Sequence, residues 1–178
     1  MGLGKTITII SLIAATLNRS VFQPSLITML GPSPKVKSHG TLIICPLSTV
    51  QNWEEQLELH VEQGALKLYV YHGGQRVTDP SFLAQFDIVI TTYNLLGTEY
   101  SKECKGQQFP GAPSSHPSVL QFVDWFRVVL DEAHIIKEVN TVQSKAATAL
   151  TAERRWCLTG TPVQNKVNSR SGYVFYSL

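Results

Sequence analysis

Three short runs in this sequence carry residue types suited to phosphate chemistry. The opening MGLGKT places Gly2 and Gly4 ahead of Lys5 and Thr6. Glycines let a backbone approach phosphate oxygens closely, with amides at a helix start pointing inward. A lysine in that position reaches β- and γ-phosphates, and the hydroxyl after it coordinates Mg2+. A phosphate-binding loop reads G-x-x-x-x-G-K-[ST], so its first glycine would fall two residues before Met1. The alternative for so short a match is a glycine turn with a solvated lysine.

The second run, VVLDEAH over 128–134, is an apolar strand that delivers Asp131 and Glu132 at its end. Ligands of open parallel sheets bind at the C-terminal ends of strands. An aspartate there can hold Mg2+, and an adjacent glutamate can orient and deprotonate an attacking water. Taken alone, the pair reads as a solvated acidic turn. The third run, LTGTPVQN over 158–165, sets Thr159 and Thr161 around Gly160. Such a hydroxyl-lined turn could sense a γ-phosphate, or be a turn and nothing more.

These residues need elements to hold them. KTITIISLIAATLN is apolar almost all round, as a helix buried against a sheet would be. TLIIC predicts a strand, and the helix after it, with Val50, Trp53, Leu57 and Val61 at helical spacing, is expected to start at a capping box of Ser48 and Gln51. That spacing makes Trp53 a core residue rather than a base-stacking platform. LKLYVY, DIVITT, FRVVL and RRWCLT read as further strands. Helices are expected at Pro80 to Phe86, near Val119 to Trp125, and over TVQSKAATAL. Short apolar runs alternating with helices are what a parallel sheet covered on both faces requires, so the class is α/β. Residues 19–40 and 97–117 read as loops, the latter an insertion without periodicity.

Composition narrows the options. At 178 residues with 43% hydrophobic content, the chain suits one domain, and a formal charge of +2 does not by itself argue for nucleic acid. Cys45, Cys104 and Cys157 are odd in number and far apart, which fits neither a disulfide framework nor a zinc site. The apolar run 7–17 is too short and polar to span a bilayer, so an intracellular protein without a membrane partner is expected.

In this order, MGLGKT, LIICPLSTVQNWEEQ, DIVITTYNLL, VVLDEAH and RRWCLTGTPVQN resemble motifs I, Ia, Ib, II and III of the Swi/Snf-type helicase-like ATPases of superfamily 2. The segment AHIIKEVNTVQSKAATALTAERRWCLTGTPVQN is most similar to the branch linked to post-replication DNA repair, whose members often carry a RING insertion; no RING cysteines are present in this chain. The resemblance implies a first RecA-like, ATP-binding lobe over 1–165, acting on duplex DNA or chromatin in the nucleus. It implies that Gly2, Leu3, Gly4, Lys5 and Thr6 bind ATP, with Thr6 and Asp131 on Mg2+ and Lys5, Asp131 and Glu132 catalytic. His134 would couple these to Thr159, Gly160, Thr161 and Gln164, while Ser48, Thr49, Thr91 and Thr92 would touch the DNA backbone, unless they only cap and turn.

Set against the family, the strand before the phosphate loop and the second RecA-like lobe are not in this sequence, and residues 166–178 form an atypical tail. The expectation is a lobe truncated at both ends. The second lobe carries an arginine finger worth about three to five orders of magnitude in turnover. Two readings therefore compete: an ATPase lobe of a longer protein, or an inactive fragment with at most weak nucleotide, DNA or partner binding.

Overall fold

Alternation along each strand decides which way its side chains face, and both faces of this sheet are apolar. The computed structural model describes residues 4–17, 27–28, 35–104, 118–160 and 173–177. Strands β1 (Ile27–Thr28), β2 (Lys35–Lys37), β3 (Thr41–Cys45), β4 (Leu68–Val70), β5 (Ile88–Thr92), β6 (Val123–Leu130), β7 (Thr151–Thr159) and β8 (Tyr173–Ser177) form one sheet. Helices α1 (Lys5–Ala15), α2 (Leu47–His60), α3 (Pro80–Leu83), α4 (Tyr93–Cys104) and α5 (Val142–Ala149) cover it.

Six strands run parallel in the order β4, β5, β3, β6, β7, β8. β2 lies parallel to the start of β6, while β3 lies beside its end, and β1 is antiparallel to β2. One face presents Ile43, Cys45, Ile88, Ile90, Val129 and Leu158 to α1 and α2. The other presents Leu42, Ile44, Val89, Val128, Leu130 and Cys157 to α3, α4 and α5. Parallel strands buried on both faces favour apolar residues at nearly every position, which explains the near-continuous runs, interrupted at buried Thr41, Thr91, Thr92 and Arg127. The β-branched residues of α1 disfavour a helix in isolation. Buried Ile9, Ile10 and Ile13 hold it on the sheet, each worth about 2 kcal/mol in water-avoiding surface. Burial pushes the thiols of Cys45 and Cys157 up to about 12, so both are inert core residues.

The structure departs from the sequence reading in four places. Residues 97–104 belong to α4, not to a loop, while the rest of that expected insertion lies outside the described residues. Two short strands, β1 and β2, fall inside the expected loop 19–40. The helix expected near Val119 to Trp125 is a 3-10 turn over Val119–Phe122, and Trp125 belongs to β6. Within the expected tail, Tyr173–Ser177 pairs with β7 as an edge strand.

The turn from β2 into β3 is tight. A Cβ on Gly40 would come 2.3 Å from the Phe86 carbonyl oxygen and 3.1 Å from Ser38 Oγ. Gly40→Ala is therefore expected to cost roughly 1 to 3 kcal/mol and to lower Tm by roughly 2 to 12 °C. An unchanged thermal melt would show that the 86–87 backbone yields freely.

Candidate active site

The described parts of the three runs, 4–6, 128–134 and 158–160, meet at one rim of the sheet, at the C-terminal ends of β6 and β7. α1 starts there. Its N-cap, Gly4, has φ 69°, a left-handed backbone that glycine adopts without penalty. Gly4 has no side chain with which to cap the helix, and amides at a helix start suit an anion. The Gly4 carbonyl accepts from the Thr8 amide at 2.8 Å and from Thr8 Oγ1 at 2.9 Å, which fixes the turn.

Lys5 Nζ reaches across to Glu132 Oε1 at 3.5 Å, although the two residues are 127 positions apart. A Cβ on Gly160 would lie 3.5 Å from the same ammonium, so the end of β7 meets it too. Glu132 Oε2 lies 3.2 Å from His134 Nδ1. Glu132 takes φ 48° and ψ 50°, the left-handed region that non-glycine residues avoid at a cost of about 1 to 3 kcal/mol. Backbone strain of this kind clusters at functional sites.

Asp131 is 8% exposed. Its Oδ2 accepts the Trp53 indole N–H at 2.9 Å, and its Oδ1 accepts the Glu132 amide at 3.0 Å. Its carbonyl accepts the Tyr93 hydroxyl at 2.8 Å. Burial pushes the Asp131 carboxyl above the usual range; the Trp53 hydrogen bond opposes that, and the Glu132 charge adds to it. A buried carboxylate beside a second one, with the Lys5 ammonium near, is a hard-oxygen site that a divalent cation would suit. Mg2+ is held by one or two carboxylates together with substrate phosphates, not by a protein cage. Among the described residues no group of three or more His, Cys, Asp or Glu side chains could hold a metal. Asp131 and Thr6, which directly follows Lys5 in α1, fit that pattern.

Other expected residues are placed differently. Gly2, Leu3, Thr161 and Gln164 lie outside the described residues. Thr159 is buried at the end of β7, and His134 is exposed on the 3-10 turn after Glu132. Ser48 does not cap α2: the N-cap is Pro46, without a side-chain bond, and Gln51 donates to Glu55 instead of closing a capping box. The Ser48 side chain is exposed. Thr49 Oγ1 donates to the Pro46 carbonyl at 2.9 Å. Thr91 and Thr92 are buried, with one hydroxyl donating to the Tyr71 carbonyl at 3.1 Å and the other accepting the Leu95 amide at 3.3 Å. Trp53 and Tyr93, which hold Asp131, carried no chemical role in the sequence reading. The signal available for Trp53 was that a buried indole N–H needs an acceptor.

Residues 1–172 match the model of the SNF2-related domain. The chain belongs to the SNF2-related family. It is 43% identical over 132 residues to DNA repair protein RAD5A of Arabidopsis thaliana, covering 74% of this chain and 12% of that protein. It is 44% identical over 128 residues to human helicase-like transcription factor, covering 71% of this chain and 12% of that protein. The SNF2-related chain thus spans about an eighth of either relative. Among solved structures, the Sulfolobus solfataricus SWI2/SNF2 ATPase core in complex with dsDNA superposes with a TM-score of 0.61 at 29% identity, covering 97% of this chain and 28% of that one. The SNF2 ATPase architecture and the DNA-repair and helicase-like branch expected from the sequence are both borne out.

Proposed function

We propose that this chain is the first RecA-like lobe of a nuclear, DNA-dependent ATPase that couples ATP hydrolysis to movement on duplex DNA, in DNA repair or chromatin remodelling. The observation that carries the reading is the convergence of Lys5, Asp131 and Glu132 at one sheet rim, with Lys5 Nζ 3.5 Å from Glu132 Oε1. In this reading the amides opening α1 and the Lys5 ammonium take the β- and γ-phosphates of ATP. Thr6 and Asp131 hold Mg2+, which supplies charge neutralisation on the phosphates when bound. Glu132 turns from Lys5 to the attacking water and accepts its proton as the water oxygen bonds to the γ-phosphorus and ADP leaves. His134 steadies Glu132 and, with Thr159, Gly160, Thr161 and Gln164, relays the phosphate state.

DNA phosphates are read at the start of α2. With Thr91 and Thr92 hydroxyls engaged inside the protein and Thr49 bonded to the Pro46 carbonyl through its amide and hydroxyl, the exposed Ser48 is the hydroxyl that meets a backbone phosphate, while Thr49, Thr91 and Thr92 shape the turn beneath. The name of one relative, a DNA repair protein, and the dsDNA bound to the similar SWI2/SNF2 ATPase core support a duplex DNA partner.

Binding of MgATP to the chain, followed by calorimetry, tests this directly. A charged hydrogen bond is worth about 1.5 to 3 kcal/mol, so Lys5→Ala should weaken binding roughly tenfold to a hundredfold. Equal affinity in the wild-type and substituted chains would leave the site without a phosphate role.

A further inference from the structure

Two fully buried tryptophans solve the same problem in different ways. Trp125 donates its indole N–H to the main-chain carbonyl of Leu120 at 3.1 Å, the ordinary outlet for a buried indole. Trp53, with 0% exposure, donates instead to a side-chain carboxylate, that of Asp131, 78 positions along the chain. That carboxylate is fixed at two points, Oδ2 by Trp53 and Oδ1 by the Glu132 amide. Each oxygen accepts one bond and keeps lone-pair capacity for a cation. Without the indole N–H, Oδ2 would lose its partner and the carboxylate could turn about its own axis.

We propose that Trp53 is a positioning residue for the metal ligand Asp131: from α2, its indole N–H sets the plane of the carboxylate that receives Mg2+. This rests on the ATPase reading given above. Tyr93 complements it from α4 by holding the Asp131 carbonyl, so the side chain and main chain of one ligand are fixed from separate helices. Partners behind a metal ligand, when removed, typically cost about 10- to 100-fold in metal affinity. The indole of Trp53 also fills the space between α2 and the sheet, so truncation would confound packing with positioning.

The test replaces Trp53 by 3-benzothienylalanine, which keeps the ring shape and exchanges N–H for sulfur, alongside Trp53→Phe. Nucleotide binding is titrated with Mg2+ and repeated in chelator. The expected result is an Mg2+ requirement raised about 10- to 100-fold in both variants, with Mg2+-free nucleotide affinity unchanged. A purely structural role would lower both affinities together. Independently, the chain has three tryptophans, and the indole N–H resonance lost in Trp53→Phe should shift on Asp131→Asn but not on Lys5→Ala. An Mg2+ requirement equal to wild type in the folded benzothienyl variant, or an indole resonance unmoved by Asp131→Asn, overturns the proposal while leaving the ATPase reading intact. Wild-type nucleotide binding that ignores both Mg2+ and Lys5→Ala overturns that reading, and the proposal with it.

Discussion

Glu132→Gln is expected to abolish most phosphate release while nucleotide binding persists. General-base catalysis contributes typically about 10²- to 10⁴-fold, and glutamine cannot take the proton of the attacking water. The substitution also removes the charge that faces Lys5 at 3.5 Å and His134 at 3.2 Å. Lys5 is then released toward phosphate, so affinity for MgATP should hold or tighten. Single-turnover hydrolysis of labelled ATP with DNA present, beside a binding titration, separates the two effects. Parallel falls in both would assign Glu132 to binding. Glu132→Gly adds a further contrast. Glycine relieves the left-handed backbone at φ 48°, so that variant should be more stable than wild type and equally inactive.

The second large effect is on stability. Trp125 is 1% exposed, on the face of β6 that packs under α4 and α5, and its indole also satisfies the Leu120 carbonyl. Trp125→Ala should cost about 3 to 5 kcal/mol, through lost transfer energy, a cavity and an orphaned carbonyl. For a chain of this size that is a fall in Tm of roughly 6 to 20 °C. Trp125→Phe keeps most of the volume and should lose much less. Near-equal melting of all three proteins would mean that this face is loosely packed.

Much of the sheet was legible because parallel strands buried on both faces read as near-continuous apolar runs, and TLIIC, DIVITT and FRVVL do so in the bare sequence, with Thr41, Thr91, Thr92 and Arg127 as their buried polar exceptions. Helix α4 was not, and Gly97 is the reason. Tyr93, Leu96, Gly97 and Tyr100 have helical spacing, but a glycine among them reads as a breaker. In the fold Gly97 is where α4 meets α5: a Cβ there would lie 3.4 Å from Gln143 Cγ. The residue that hid the helix is the one that lets it pack. The capping-box spacing of Ser48 and Gln51 misled for a related reason. Pro46 already ends β3's extension and, as N-cap, opens the helix two residues earlier, at Leu47.

At the candidate site, the residues that converge were readable in the sequence and their supports were not. Lys5 stands out by the glycines before it and the hydroxyl after it, and Asp131 and Glu132 by residue type and strand-end position. Trp53 is marked as core by its helical spacing, and nothing local says that its N–H meets a carboxylate 78 positions away. Thr91 and Thr92 show the converse: hydroxyls at a strand end invite a phosphate contact, yet tertiary packing spends both on backbone groups.

Asp131 is gripped from above and below the sheet, by an indole on one side and a phenol on the other. The residue is therefore a rivet through three strata of the molecule. A slip of either outer stratum along the strands would break a hydrogen bond at that single point, so both layers are registered against the acidic rim.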